Sequence, residues 1–215
     1  MELLIALQPG IESVLPEAER LGVRGILTNA SLLEAAFGSG LSEVEQTRKL
    51  LALHRTMSMF ASVNRSSADE IIDTARACCA LSPRVGVKIP STHEGMTAIR
   101  ELSQQGIRCI ATAMFTYGQA YMAAQSGAWA ISPFVHRGMD HGIDMLQQLQ
   151  DDRALYDRIK NPPYIIAASI RSAEEAEQVL KAGADGAAIT WQVLASLCDS
   201  PLSREVEAGW AGQAE

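Results

Sequence analysis

The sequence predicts a closed (β/α)8 barrel with an additional C-terminal helix, read as a single domain over residues 1–215. Three observations lead there. Short apolar, β-like runs recur roughly every 20 to 36 residues, helical stretches with capping residues separate them, and glycines close several of those stretches just before the next run. Strands alternating with helices pair in parallel, because each connection must cross over the sheet. An open doubly wound sheet has a similar rhythm; the eight strands with their crossover helices are what argue for closure.

In order, the strands are expected at Glu2 to Leu7, Gly25 to Leu27, Met59 to Val63, Gly86 to Ile89, Arg108 to Thr112, Ala128 to Pro133, Tyr164 to Ala168 and Gly186 to Ile189. Helices are expected between them, among others at Ser67 to Leu81, Ser91 to Gln105, Thr116 to Ser126, Gly142 to Arg158 and Ser172 to Ala182. Gln105-Gly106, Gln125-Ser126-Gly127 and Ala182-Gly183 each put a residue tolerant of positive φ where a helix must stop. The tail, about residues 201–215, reads as a further helix with Leu202, Val206 and Trp210 at four-residue spacing. Such a stripe suits docking on a neighbouring subunit.

A chain of 215 residues with 47% apolar and 20% charged residues can bury a full core. Its formal charge of -7 disfavours a binder of the nucleic-acid backbone, which needs clustered positive charge. No apolar run approaches the roughly 20 residues that span a bilayer, and Met1-Glu2-Leu3 lacks the basic start of a signal peptide, so a cytoplasmic protein is expected. Cys78, Cys79, Cys109 and Cys198 have no metal-ligand spacing and read as reduced, buried thiols. Nor do His54, His93, His136 and His141 form a zinc pattern, so no metal or cofactor is implied.

Barrel active sites lie at the C-terminal ends of the strands, which directs attention to polar residues that interrupt or close an apolar run. Lys88, in Val85-Gly86-Val87-Lys88-Ile89-Pro90, is the sharpest. An amine held among apolar neighbours loses hydration, its pKa falls, and the neutral form that attacks a carbonyl becomes populated near pH 7. The bland reading is a lysine that snorkels from the rim to water. Other strand ends carry Thr28-Asn29, Ser62, Thr112, Ser132, Arg137, Ser169 and Arg171. Uncharged hydrogen-bonders around one lysine, with two arginines, suit a phosphorylated carbonyl compound. His136 and His141 fall on an expected loop at the active face.

These segments resemble the transaldolase family and its small fructose-6-phosphate aldolase-like subgroup. The resemblance rests on Gly25-Ile26-Leu27-Thr28-Asn29, Val87-Lys88-Ile89-Pro90, Thr112-Ala113, Ile131-Ser132-Pro133-Phe134-Val135-His136-Arg137 and Ala168-Ser169-Ile170-Arg171, and it covers almost the whole chain. It implies a class I aldolase or transaldolase that makes or breaks a carbon–carbon bond between a dihydroxyacetone-type donor and an aldehyde, on a sugar phosphate such as fructose 6-phosphate. Lys88 would form the Schiff base, Asn29 and Ser132 would hold hydroxyls, Thr112 would hold a catalytic water, and Arg137, Ser169 and Arg171 would bind phosphate. A homo-oligomer, such as a decamer using the C-terminal helix, is also implied.

Four positions depart from that pattern. Ala6 stands where the relatives carry a proton-transferring aspartate, Ser62 where they carry a glutamate or glutamine, Leu27 where they carry a threonine, and Phe134 where the aldolase branch carries a tyrosine. His136 is the nearby group whose ordinary pKa suits a replacement base. Two alternatives stay open beside the aldolase or transaldolase: a sugar-phosphate-binding barrel with impaired catalysis, and another Schiff-base aldolase with an aldehyde donor.

Overall fold

The computed structural model describes residues 2–211. Eight parallel strands close into a barrel in sequence order: β1 (Glu2–Ala6), β2 (Gly25–Leu27), β3 (Ser58–Ser62), β4 (Val85–Pro90), β5 (Cys109–Met114), β6 (Ala130–Pro133), β7 (Tyr164–Ala167) and β8 (Gly186–Ile189). The last strand returns to the first through Leu4–Ala188 and Ile5–Ile189 pairing. Closure leaves no sheet edge open.

Helices cover the outside: α1 (Leu15–Arg20), α2 (Ala30–Phe37), α3 (Glu43–Leu53), α4 (Ala68–Cys79), α5 (His93–Gln104), α6 (Tyr117–Ser126), α7 (Val135–Asp140), α8 (Met145–Tyr156), α9 (Ala173–Lys181), α10 (Trp191–Leu197) and α11 (Pro201–Ala211). Many open on a side-chain cap at the end of the preceding strand. Asn29 Oδ1 accepts from Leu32 N at 2.8 Å, Thr92 Oγ1 from Gly95 N at 3.1 Å and Thr190 Oγ1 from Val193 N at 3.3 Å. The caps therefore gather at the face where the strands end.

The strand assignments hold to within two residues or fewer at each end, because the period-two pattern and the capping residues are local signals. One expectation is corrected. Residues 134–142, expected to be a loop, contain α7. This short helix has no side-chain cap; instead Val135 N and His136 N donate to the carbonyls of Ala168 and Ser169, at 2.9 and 3.1 Å, so tertiary contacts with the end of β7 set its start. Gly138 is required there, since a Cβ would stand 2.4 Å from Met145 Cγ.

The core has two layers. Between barrel and helices lies one large apolar cluster; inside the barrel a smaller one joins Leu4, Leu27, Phe60, Ile110, Ala130, Ile166, Ala168 and Ala188. The barrel floor is plugged. Phe60 stacks on Trp129 with centroids 5.2 Å apart, and the Arg108 guanidinium lies 5.5 Å from the Phe60 ring. Gly86 makes room for this plug, because a Cβ would meet the Phe60 ring at 2.7 Å. Access to the interior is thus from the C-terminal ends of the strands.

Helix α11 bears out the expected tail helix as far as Ala211; residues 212–215 lie outside the described residues. Leu202 and Trp210 are 68% and 69% exposed, so among the described residues the stripe remains largely uncovered. No helix among the described residues is long and apolar enough to cross a membrane.

Candidate active site

Lys88 projects into the barrel. It pairs in register with Ser62 on β3 and Ile110 on β5, directly above the Phe60 plug, and only 2% of its surface is exposed. Its Nζ lies 5.0 Å from the centroid of the Phe134 ring and makes no ion pair with a carboxylate among the described residues. Burial pushes its pKa from 10.5 down to about 8, and the Arg137 guanidinium adds to the lowering. This is the unpaired, desolvated amine that the strand pattern anticipates.

A cavity of about 190 Å³ opens onto this amine. Thr28, Asn29, Arg137, Ser169 and Thr190 supply its polar wall; Ala6, Leu27, Leu32, Phe134, Ala168, Ile170 and Ala188 supply the apolar one. Thr28 Oγ1 donates to Phe60 O at 2.8 Å, which fixes its rotamer and leaves lone pairs for a ligand. The Asn29 carbonyl oxygen is committed to capping α2, so its amide N–H groups remain to donate into the cavity. Ser169 takes φ 60°, in the left-handed region, at a cost on the order of 1 kcal/mol for a non-glycine residue, and it lines the cavity from that conformation. Arg137 reaches back over the Phe134 ring at 5.4 Å.

Other expected site residues are placed differently. Thr112 and Ser132 pair in register on β5 and β6, are 5% and 0% exposed, and their hydroxyls have no hydrogen-bond partner among the described residues. Neither lines the cavity. Ser62 pairs with Lys88 yet lines a neighbouring groove of about 510 Å³ beside the Arg65–Glu43 ion pair.

The structure separates the two arginines grouped at one phosphate site by the sequence. Arg137 lines the cavity, whereas Arg171 is exposed, with Nη2 turned to Asp140 Oδ2 at 3.5 Å. His136 is likewise outside the cavity wall. Its Nδ1 meets Glu175 Oε1 at 2.5 Å and its Nε2 faces Asp140 Oδ1 at 3.4 Å, because the helical turn of α7 points it away from the barrel axis. His141 contacts the Arg137 carbonyl at 2.8 Å. Thr190 is the polar wall residue that sequence reasoning missed, although it closes the β8 run and the same strand-end criterion would have found it. A larger groove of about 690 Å³ lies outside the barrel between α5 and α6 and holds no lysine.

Residues 11–214 match the family described as transaldolase/fructose-6-phosphate aldolase. The chain belongs to this family. A probable transaldolase of Streptococcus agalactiae is 41% identical over 143 residues, a stretch that spans 66% of each chain. A probable transaldolase of Listeria monocytogenes is 34% identical over 188 residues, covering 87% of this chain and 86% of that one. Among solved structures, a thiamine phosphate pyrophosphorylase from Pyrococcus furiosus superposes with a TM-score of 0.60 at 22% identity, covering 87% of this chain and 85% of that one. That likeness shows the barrel fold alone. Among the described residues, none that lines this cavity carries a carboxylate, and Ala6 is part of its apolar wall.

Proposed function

We propose that this chain is a Schiff-base aldolase or transaldolase, in which Lys88 attacks the ketone of a dihydroxyacetone-type donor unit within a sugar phosphate. The observation that carries this reading is a buried lysine at the cavity wall that pairs with no carboxylate among the described residues, where burial lowers its pKa to about 8. The neutral amine adds its lone pair to the carbonyl carbon, and one N–H proton passes to the oxygen, giving a carbinolamine. A further proton carries that oxygen off as water and leaves a cationic iminium; when the bond between its α and β carbons breaks, the electrons of that bond neutralise the iminium as an enamine on Lys88, and the β hydroxyl gives its proton to water and becomes the aldehyde.

Asn29 and Thr28 donate to or accept from substrate hydroxyls, Ser132 and Thr112 supply buried hydroxyls on the neighbouring strands, and Arg137 with Ser169 binds the phosphate. Ser62, Phe134 and Arg171 complete the surroundings: Ser62 in register beside the lysine, Phe134 under its ammonium, and Arg171 further out. The exposed stripe of α11 supports a homo-oligomer. A sugar-phosphate-binding barrel with weak turnover is the second reading, and the carboxylate-free wall is what favours it.

The test is reduction with borohydride in the presence of dihydroxyacetone or fructose 6-phosphate, followed by peptide mapping. A single adduct on Lys88 is expected, with Lys49, Lys160 and Lys181 unmodified; an adduct pattern shared among the lysines would reject the assignment. Arg137→Ala is expected to weaken binding of phosphorylated ligands by about 1.5 to 3 kcal/mol and to spare unphosphorylated ketones, as measured by calorimetric titration. Removing the guanidinium also takes away a lowering influence on Lys88, so the pH midpoint of trapping, expected near 8 in the parent, should move upward. A smaller effect is expected for Arg171→Ala, whose side chain is paired with Asp140 outside the wall.

A further inference from the structure

The two groups placed at the phosphate, Arg137 and Ser169, sit on different elements, and neither is held by its own element alone. Helix α7, which carries Arg137, has no side-chain cap. Ser169 takes φ 60°, a conformation that a non-glycine residue keeps only when its surroundings fix it. One carboxylate reaches both elements. Glu175 stands in the first turn of α9, where its N–H donates to Ser172 Oγ at 3.1 Å. Its Oε2 accepts from Arg171 N at 2.7 Å, and its Oε1 meets His136 Nδ1 at 2.5 Å. The Glu175 and His136 side chains are 16% and 22% exposed, and neither lines the cavity. Asp140 closes the circuit by facing both His136 Nε2 and the Arg171 guanidinium, at 3.4 and 3.5 Å.

We infer that Glu175, with His136 as its second arm, is a positioning residue that holds Ser169 and Arg137 in place for the substrate phosphate. The inference rests on the sugar-phosphate reading of the cavity and adds how the phosphate end is kept in shape. Ala168 O and Ser169 O accept from Val135 N and His136 N, at 2.9 and 3.1 Å, and two residues beyond Ser169 the chain is tied to Glu175. Ser169 is therefore pinned on both sides and cannot relax to negative φ without breaking one of these bonds. The same carboxylate fixes His136, and with it the turn of α7 that directs the adjacent Arg137 to the cavity. A shift of about 1 Å in either group takes a hydrogen bond to phosphate beyond its normal range. The sign of the effect separates this role from a purely electrostatic one. A carboxylate near an anion site repels the ligand through its field, so removing it tightens phosphate binding, whereas removing a brace loosens it.

The experiment titrates fructose 6-phosphate calorimetrically into the parent, Glu175→Ala, Glu175→Gln and His136→Ala, and measures borohydride trapping of dihydroxyacetone at Lys88 in each. Glu175→Ala is expected to weaken fructose 6-phosphate about tenfold, the scale of one charge-assisted contact, while trapping of dihydroxyacetone, which has no phosphate, changes far less. Glu175→Gln keeps an oxygen for Arg171 N and an amide for His136, and should restore most of the affinity. His136→Ala cuts only the arm to α7, leaves the start of α9 intact, and should weaken fructose 6-phosphate by a smaller factor. In an Arg137→Ala background the effect of Glu175→Ala should shrink, because the two act on one contact. Unchanged or tighter binding in Glu175→Ala and His136→Ala, an equal loss of dihydroxyacetone trapping, or full additivity with Arg137→Ala would overturn the inference. A parent that binds no fructose 6-phosphate would remove the phosphate site on which the brace stands. Absence of trapping at Lys88 in the parent would remove the Schiff-base reading alone and leave the titrations to decide the brace.

Discussion

Lys88→Met should lose all ketone trapping and, at the same time, make the protein more stable at pH 7. The two effects have one cause. Burial lowers the lysine pKa from 10.5 to about 8, so the folded state holds at pH 7 a charge it disfavours. A shift of that size corresponds to about 3 kcal/mol, and methionine fills the same volume without a charge. The expected gain is about 2 to 3 kcal/mol, worth roughly 2 to 4 °C in Tm per kcal/mol for a chain of this length. The sign follows from proton binding: between pH 8 and 10.5 the unfolded chain holds the proton that the folded one has released, so parent stability rises with pH across that window. The advantage of the methionine variant should shrink as pH climbs through 8 and be nearly gone above 10.5. Calorimetric melts at several pH values check this. A variant that is less stable than the parent at pH 7 would mean that the amine is not held desolvated.

The double variant Ala6→Asp, Phe134→Tyr is expected to raise kcat for release of glyceraldehyde 3-phosphate from fructose 6-phosphate by about tenfold or more, or roughly 1.4 kcal/mol. Ala6 lies on the wall opposite Lys88, and the Phe134 ring lies 5.0 Å from Nζ, so a carboxylate and a phenol at these positions flank the reacting carbons. Two effects compete. A positioned acid or base contributes typically 10²- to 10⁴-fold, while a carboxylate near Lys88 favours its charged form and costs about tenfold in neutral amine for each pKa unit gained. The relay effect is the larger, so turnover should rise even though the pH midpoint of trapping moves up. An unchanged kcat in a variant that still traps ketones would show that proton transfer does not limit the parent.

His136 enters this question from the outside. Its sequence position, one residue before Arg137, suits a replacement base, yet the turn of α7 directs it to Glu175 and Asp140 instead of the cavity. The same short helix brings Arg137 to the wall, so adjacent residues end on different sides of one turn. A residue's neighbourhood in sequence gives little warning of this, because in a helix side chains one position apart do not share a face.

Much of the barrel was legible because its signals are local. Alternation within runs such as Val85–Pro90 places Lys88 with Gly86 on one face, and Thr116 and Ser172 cap helices at the starts the sequence indicates. The positions of the strands, a lysine near the end of one of them, and Thr28, Asn29, Arg137 and Ser169 as strand-end polar residues all follow from patterns spanning a few residues. Which of them meet was decided only by closure. The pairing of β1 with β8 brings Ala6 and Ala188 into one wall of the cavity, the floor built by Phe60, Trp129 and Arg108 fixes its depth, and Thr112 and Ser132 end buried outside its wall. A one-dimensional pattern tells which face of a strand a side chain occupies; the distance between faces of strands far apart in sequence depends on the curvature and register of the whole sheet, and these exist only once all eight strands have paired.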